Sequence, residues 1–250
     1  MDHADNLEEL VGALDPRDVT LVVHDWGGPI GVGALLRDPD RVSALVACNT
    51  TVFPFPFVGR TFSDYPIDWL PWTAFPTVTP DPVWPAVGSY VVFRTPTGAA
   101  GLLGGLALYA ARTAVGRFPA DERDARRVYF EQFLDPWNVA ASKRLVRQTR
   151  YWAHGNTFEG RRLGERNTAP FYRFVRENVG PLWGPGGRAI DVRLVFGEWD
   201  PLAKEPVYDQ FRDHLPQAEG HVETLEGVSH FVEEQRPERV AEAVADVTGS

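Results

Sequence analysis

The stretch Leu21-Val22-Val23-His24-Asp25-Trp26-Gly27-Gly28-Pro29-Ile30-Gly31 decides the fold. Its first residues belong to a β-branched run, Val19-Thr20-Leu21-Val22-Val23, the pattern of a fully buried strand. The run passes straight into a Gly-flanked turn, and residues from about 28 to 37 continue as a helix. A strand that breaks into a helix across such a turn lifts one side chain to the top of the sheet. It also aims the next backbone N–H at the same point. The residue lifted here is Asp25. A carboxylate needs no base to activate it, and its attack on an alkyl carbon leaves a covalent ester. Asp also caps helix N-termini, so Asp25 taken by itself fits either role.

Outward from this stretch, Leu7, Leu10, Val11 and Leu14 share one face of an opening helix, which Asp15-Pro16 closes. Residues 42–47 form a second buried strand, and the βαβ order predicts a parallel sheet with crossover helices. The chain then changes character. Residues 51–85 are crowded with prolines and aromatics, and about 86–180 reads as helices with polar breaks and no convincing strand. The α/β rhythm returns at Val192-Arg193-Leu194-Val195-Phe196. A helix carrying Val207, Phe211 and Leu215 follows, then a strand at 222–225 and a last helix carrying Val240, Val244 and Val247. The predicted layout is a core of residues 1–50 and 186–250 with a helical cap at 51–185.

Two later motifs bear on Asp25. Phe196-Gly197-Glu198-Trp199-Asp200-Pro201 sets an acid just after one buried strand, and Glu226-Gly227-Val228-Ser229-His230-Phe231 sets a histidine just after the next. Asp200 alone could be a turn residue and His230 alone a core histidine. Together they give the order nucleophile, acid, histidine, each at the C-terminal end of a strand, where open α/β sheets bind ligands. That order and context match the α/β-hydrolase triad Asp25, Asp200 and His230.

Composition narrows the class. The 250 residues are 44% hydrophobic and 24% charged, within the range of ordinary globular chains. The net charge of −9 argues against nucleic acid or an anionic membrane as partner and is compatible with a small neutral substrate. The single cysteine, Cys48, excludes an internal disulfide and reads as a small buried hydrophobe at a strand end. The polar, acidic N-terminus is no signal peptide, and the apolar run at 98–111 is too short and Gly-rich to span a membrane. A cytoplasmic location is expected. The six histidines lack metal-ligand spacing, and Gly101-Leu102-Leu103-Gly104-Gly105 follows no strand. No cofactor and no metal are expected. Asn49-Thr50-Thr51 fits the glycosylation pattern, which a cytoplasmic chain would not use. Oligomeric state is left open.

The elbow, the acid motif and Ser229-His230-Phe231-Val232-Glu233-Glu234 resemble the haloalkane dehalogenases of the α/β-hydrolase superfamily. The resemblance is good over about 5–55 and 190–248 and loose between them. It implies Asp25 as nucleophile, Trp26 as halide ligand through its indole N–H, His230 as base and Asp200 as its partner. The implied reaction converts a haloalkane to an alcohol and halide, without cofactor, on a small apolar substrate. Epoxide hydrolases share the His-Asp-Trp-Gly-Gly elbow but usually carry Gly where Val23 stands; they also use paired cap tyrosines, and no spacing selects a pair among Tyr90, Tyr109, Tyr129, Tyr151 and Tyr172. An inactive, truncated homologue is the third alternative. The family's earlier strands and its His-Gly-x-Pro segment, which gives a second oxyanion donor, find no counterpart ahead of the opening helix. The sheet is therefore expected to be N-terminally truncated, with Val19 to Val23 an exposed edge. The stretch between Asp25 and Asp200 is also longer than the family habit.

Overall fold

The computed structural model describes residues 2–55, 75–86, 125–160 and 164–249, together with Gly88 and Ala107. Four strands, β1 (Val19–His24), β2 (Val42–Cys48), β5 (Asp191–Gly197) and β6 (Val222–Leu225), form one parallel sheet in the order β1-β2-β5-β6. All four coincide with the expected strands to within a residue or two. Each crossover between parallel neighbours runs through helix or the long insert, as parallel pairing requires.

One face of the sheet carries α1 (Asp2–Leu14), α2 (Gly27–Leu35), α5 (Ala169–Trp183) and α6 (Glu205–His214). Val23, Leu45, Ala47, Leu194 and Phe196 point into this side and share a core with Val32, Val175, Trp183 and Phe211. The strand period of two sends Val46, Cys48 and Val195 to the opposite face, where α7 (Pro237–Thr248) covers them with Val240, Ala243, Val244 and Val247. Helix α2 sits unusually close to its neighbours. A Cβ on Gly31 would lie 2.9 Å from a Val23 methyl, and one on Gly33 would lie 2.3 Å from the Phe171 ring.

Two expectations change. Among the described residues β1 has no partner on its outer side, and only Val23 of its five opening residues is buried. Val22, on the face that α7 covers farther in, is 46% exposed. Among the described residues the β-branched run is therefore an edge strand with one buried face, which corrects the fully buried reading of the run itself and agrees with the exposed edge expected from the resemblance. The insert also holds a strand pair: β3 (Thr157–Gly160) and β4 (Gly164–Asn167) form an antiparallel hairpin where only helices were expected. Their polar residues, such as Glu159, Glu165 and Arg166, gave no alternating apolar signal. The insert's described helices include α3 (Ala125–Gln132) and α4 (Pro136–Gln148). Helix α5 falls within the segment expected to form the cap, yet it packs into the core of the sheet through Phe171, Val175, Val179 and Trp183. The apolar run at 98–111, apart from Ala107, lies outside the described residues, as do Tyr90 and Tyr109.

An unpaired strand edge with an exposed valine favours association, and a lysine there opposes it. Val22→Lys is expected to leave the thermal midpoint nearly unchanged, within about 0.5 kcal/mol of stability, because the side chain already faces solvent. It should lower apolar-dye binding and self-association in sedimentation. A large drop in midpoint would mean that Val22 is covered.

Candidate active site

Each of the four parallel strands delivers one polar residue at its C-terminal end: Asp25 after β1, Asn49 after β2, Asp200 after β5 and His230 after β6. The sequence singled out three of these as site residues, and the structure brings those three together.

Asp25 sits at the elbow with φ 47°, a left-handed conformation that is uncommon for a residue with a Cβ. The surroundings hold it there. Its carbonyl accepts the Gly28 N–H at 3.0 Å and the Thr50 hydroxyl at 2.6 Å. A Cβ on Gly28 would lie 2.1 Å from that hydroxyl, so the glycine lets the elbow close against β2. The Asp25 side chain remains 38% exposed. It does not cap the helix: the N-cap position of α2 is Trp26, without a side-chain cap bond.

His230 Nε2 lies 3.8 Å from Asp25 Oδ2, a charge contact too long for a hydrogen bond. On the other side of the ring, Nδ1 donates to Asp200 Oδ2 at 2.6 Å. Asp200 is 1% exposed, and its other oxygen accepts the Leu202 N–H at 2.7 Å. The bond from Nδ1 fixes the tautomer, so Nε2 is the nitrogen left to exchange a proton toward Asp25.

Electrostatics follow the layout. Burial opposes the His230 cation, but the hydrogen bond and charge of Asp200, joined by Asp25, outweigh it and push the imidazole up to about 10. Burial would raise the Asp25 carboxyl; His230, His24 and the Trp26 backbone N–H overcome it and hold the group below the usual carboxylate range. For Asp200 burial wins, and its carboxyl lies above that range despite the His230 bond.

Trp26 follows the elbow, with its ring centroid 4.5 Å from that of Trp152; Phe55 stacks on Trp152 at 5.6 Å. The Trp152 indole N–H donates to the Thr51 carbonyl at 2.9 Å. That donor is committed to the backbone. Among the described insert tyrosines, Tyr129 on α3 has its ring 4.8 Å from Phe231, the neighbour of His230. Tyr172 is instead buried with the core helices.

Asn49 went unrecognised as a site residue. It is fully buried, with φ 40°. Its Nδ2 donates to the carbonyls of Ser229 at 3.0 Å and His230 at 2.5 Å, and its Oδ1 accepts the Gly197 N–H at 2.9 Å. It thus ties the acid loop to the histidine loop and has no room for a glycan. Gly197 completes the junction, since a Cβ there would lie 2.1 Å from the Ser229 carbonyl oxygen. The same test that found Asp200 and His230, a polar residue directly after a buried strand, would have found Asn49.

Among the described residues no group of three or more His, Cys, Asp or Glu could hold a metal ion, and no described helix is long and apolar enough to cross a membrane. Cys48 is buried at the end of β2, and burial, aided by the Glu233 charge, pushes its thiol up to about 12.

Comparison with known proteins adds the family. The model of the alpha/beta hydrolase fold family matches residues 1–237. A cis-3-alkyl-4-alkyloxetan-2-one decarboxylase from Shewanella oneidensis is 49% identical over 53 residues, 21% of this chain and 17% of that relative's length. The chain is also similar in fold to two solved haloalkane dehalogenases. That of Paraglaciecola agarilytica superposes with a TM-score of 0.58 at 17% identity, covering 98% of this chain and 66% of that one. A loop variant from Bradyrhizobium elkanii gives 0.57 at 20%, covering 99% and 73%. At these identities the structural likeness speaks for the fold.

Proposed function

Because the chain belongs to the alpha/beta hydrolase fold family, we propose that it hydrolyses carbon–halogen bonds of small apolar haloalkanes through an ester on Asp25. One observation carries this reading. A carboxylate, not a hydroxyl, occupies a positive-φ elbow, with an imidazole 3.8 Å away and a buried carboxylate 2.6 Å behind it.

In the first step an Asp25 oxygen attacks the carbon bearing the halogen. The new C–O bond forms as the C–X bond breaks, and the electron pair leaves with the halide. The Trp26 indole N–H, by the resemblance, steadies the departing anion. In the second step His230 Nε2 takes a proton from water, whose oxygen adds to the ester carbonyl carbon. The resulting oxyanion faces the Trp26 backbone N–H. Its collapse restores the carboxylate and releases the alcohol, which carries one of the water's two protons; the other leaves the imidazolium, stabilised meanwhile by Asp200, for solvent. The charges support this order. Asp25 as an anion helps raise His230; esterification removes that negative charge, so the imidazole loses proton affinity when a base is needed. Trp26, Trp152 and Phe55 form an apolar wall suited to an alkyl group.

Two variants of this reading have their own support. The 49% identical segment points to oxetan-2-ones, whose ring carbon bonded to the ring oxygen offers the same kind of electrophile to a carboxylate. Tyr129, whose ring lies beside Phe231, supports the epoxide reading, in which a cap phenol protonates the epoxide oxygen. Halide released from 1-bromohexane, CO2 from a cis-dialkyl oxetan-2-one and diol from an epoxide separate the three. Silence in all arms would support the inactive homologue. If halide is the product, Trp26→Phe should slow its displacement about tenfold or more, the loss of one charge-assisted hydrogen bond. It should also abolish a saturable quenching of tryptophan fluorescence by bromide. Quenching unchanged in the variant would place the halide elsewhere.

A further inference from the structure

The residue before the nucleophile, His24, makes two contacts that together locate a proton. Its Nε2 lies 2.8 Å from the carbonyl oxygen of His230, and its Nδ1 lies 3.2 Å from Glu233 Oε1. A carbonyl oxygen only accepts, so Nε2 carries a hydrogen. In a neutral imidazole Nδ1 is then a bare lone pair, and facing an ionised carboxylate it would be repelled. The second contact is attractive only if a further proton lies between the ring and Glu233.

The surroundings decide where that proton resides. The His24 ring is packed between the His230 ring, with centroids 4.6 Å apart, and the Phe231 ring, at 5.4 Å. The Glu233 side chain is 37% exposed as a whole, but its Oε2 is shielded from solvent with no hydrogen-bond partner, a poor setting for negative charge on that oxygen. We propose that His24 is neutral and Glu233 is a carboxylic acid donating to His24 Nδ1, so that the pair clamps the backbone carbonyl of the catalytic histidine from below.

Charge balance agrees. Burial, helped by the charge of His230, lowers His24 to about 4, and burial raises the Glu233 carboxyl above the usual range. The charged or titratable groups facing the pair are Asp25 at the end of β1, His230 and Glu234 on the loop and turn around it, Cys48 on β2 and Tyr129 on α3. A second anion here would compete with Asp25 and Asp200 for His230; a neutral acid does not. The sign follows. The clamp persists while Glu233 keeps its proton and is lost as pH rises through the raised value, because a carboxylate and a lone pair then face each other.

The catalytic consequence rests on the proposed function; the proton does not. Glu233 is a positioning residue, and two measurements test it. In the resting chain, imidazole nitrogen and carboxyl carbon NMR should show His24 protonated on Nε2 alone at neutral pH. Glu233 should titrate above the ordinary value of about 4.3. A doubly protonated His24, or a Glu233 with the ordinary value, overturns the proposal without any substrate. In kinetics, Glu233→Ala should slow hydrolysis of the alkyl ester about tenfold. Glu233→Gln, whose amide N–H donates to Nδ1 at every pH, should recover most of that loss and abolish the fall in rate expected of the wild type as pH rises through the raised Glu233 value. The same fall with rising pH in Glu233→Gln, or no recovery, overturns the clamp. Absence of any adduct on Asp25 in the wild type would sink the functional reading instead and leave the NMR result standing.

Discussion

His230→Gln should halt turnover after one alkylation, leaving an alkyl ester on Asp25 that survives isolation. The two half-reactions make opposite demands on His230. Attack by Asp25 on an alkyl carbon needs only the carboxylate, which its neighbours hold ionised. Hydrolysis of the ester needs Nε2 to take a proton from water, and a glutamine amide cannot. Loss of a positioned general base costs about 10²–10⁴ in rate, so steady-state halide release should fall by that factor while a burst of one halide per protein remains. Mass spectrometry after exposure to 1-bromohexane should find the hexyl group on the peptide that holds Asp25. Asp25→Asn should show neither burst nor adduct. An adduct on another residue, or full turnover in Asp25→Asn, would remove Asp25 from the chemistry. In the wild type, a single turnover in oxygen-18 water should leave the label in Asp25, since the attacking water adds to its carbonyl carbon; label only in the alcohol would point to direct displacement by water.

Much of this site was legible because its parts obey local rules. A β-branched run, a turn and a helix need only neighbouring residues, so β1, the elbow and α2 could be read from residues 19–37. Asp200 and His230 each follow a buried strand, and parallel strands in one sheet present their C-terminal ends along one edge. What stayed hidden depends on contacts between distant segments. The β-branched run by itself makes Val22 look as buried as Val23, and its exposed edge is expected only through the family resemblance. The hairpin β3–β4 has polar faces and leaves no apolar alternation to count. The Asn49 side chain bonds to residues 148 to 181 positions away, and nothing in Asn49-Thr50-Thr51 hints at them. The Glu233 proton likewise exists only because β1 ends beneath the turn that begins at Val232.

Asn49 also sets the second large effect. Asn49→Asp changes one group by a single atom, yet it should cost about 3–5 kcal/mol, the price of an uncompensated buried charge. The amide orientation is fully determined, because Nδ2 faces two carbonyl oxygens and Oδ1 faces one N–H. A carboxylate keeps the bond from Gly197 and turns its second oxygen against the carbonyls of Ser229 and His230, at a position with no solvent access. Both donors are lost and a repulsion replaces them. The acid loop and the histidine loop then lose their common tie, and the 2.6 Å bond from His230 to Asp200 loses its support. The introduced carboxyl has its pKa raised in the folded state by burial and by the facing carbonyls. The unfolded chain therefore ionises first as pH rises. The variant's deficit should be smallest below about 3.9, the unfolded value, and should grow until pH passes the raised folded value. Urea melts of the two proteins across acid and neutral pH measure this directly, and halide release should fall in step with the loss of structure. A constant deficit at every pH would mean that the carboxyl reaches solvent. A variant as stable and as fast as the wild type would mean that the two loops are held together without Asn49.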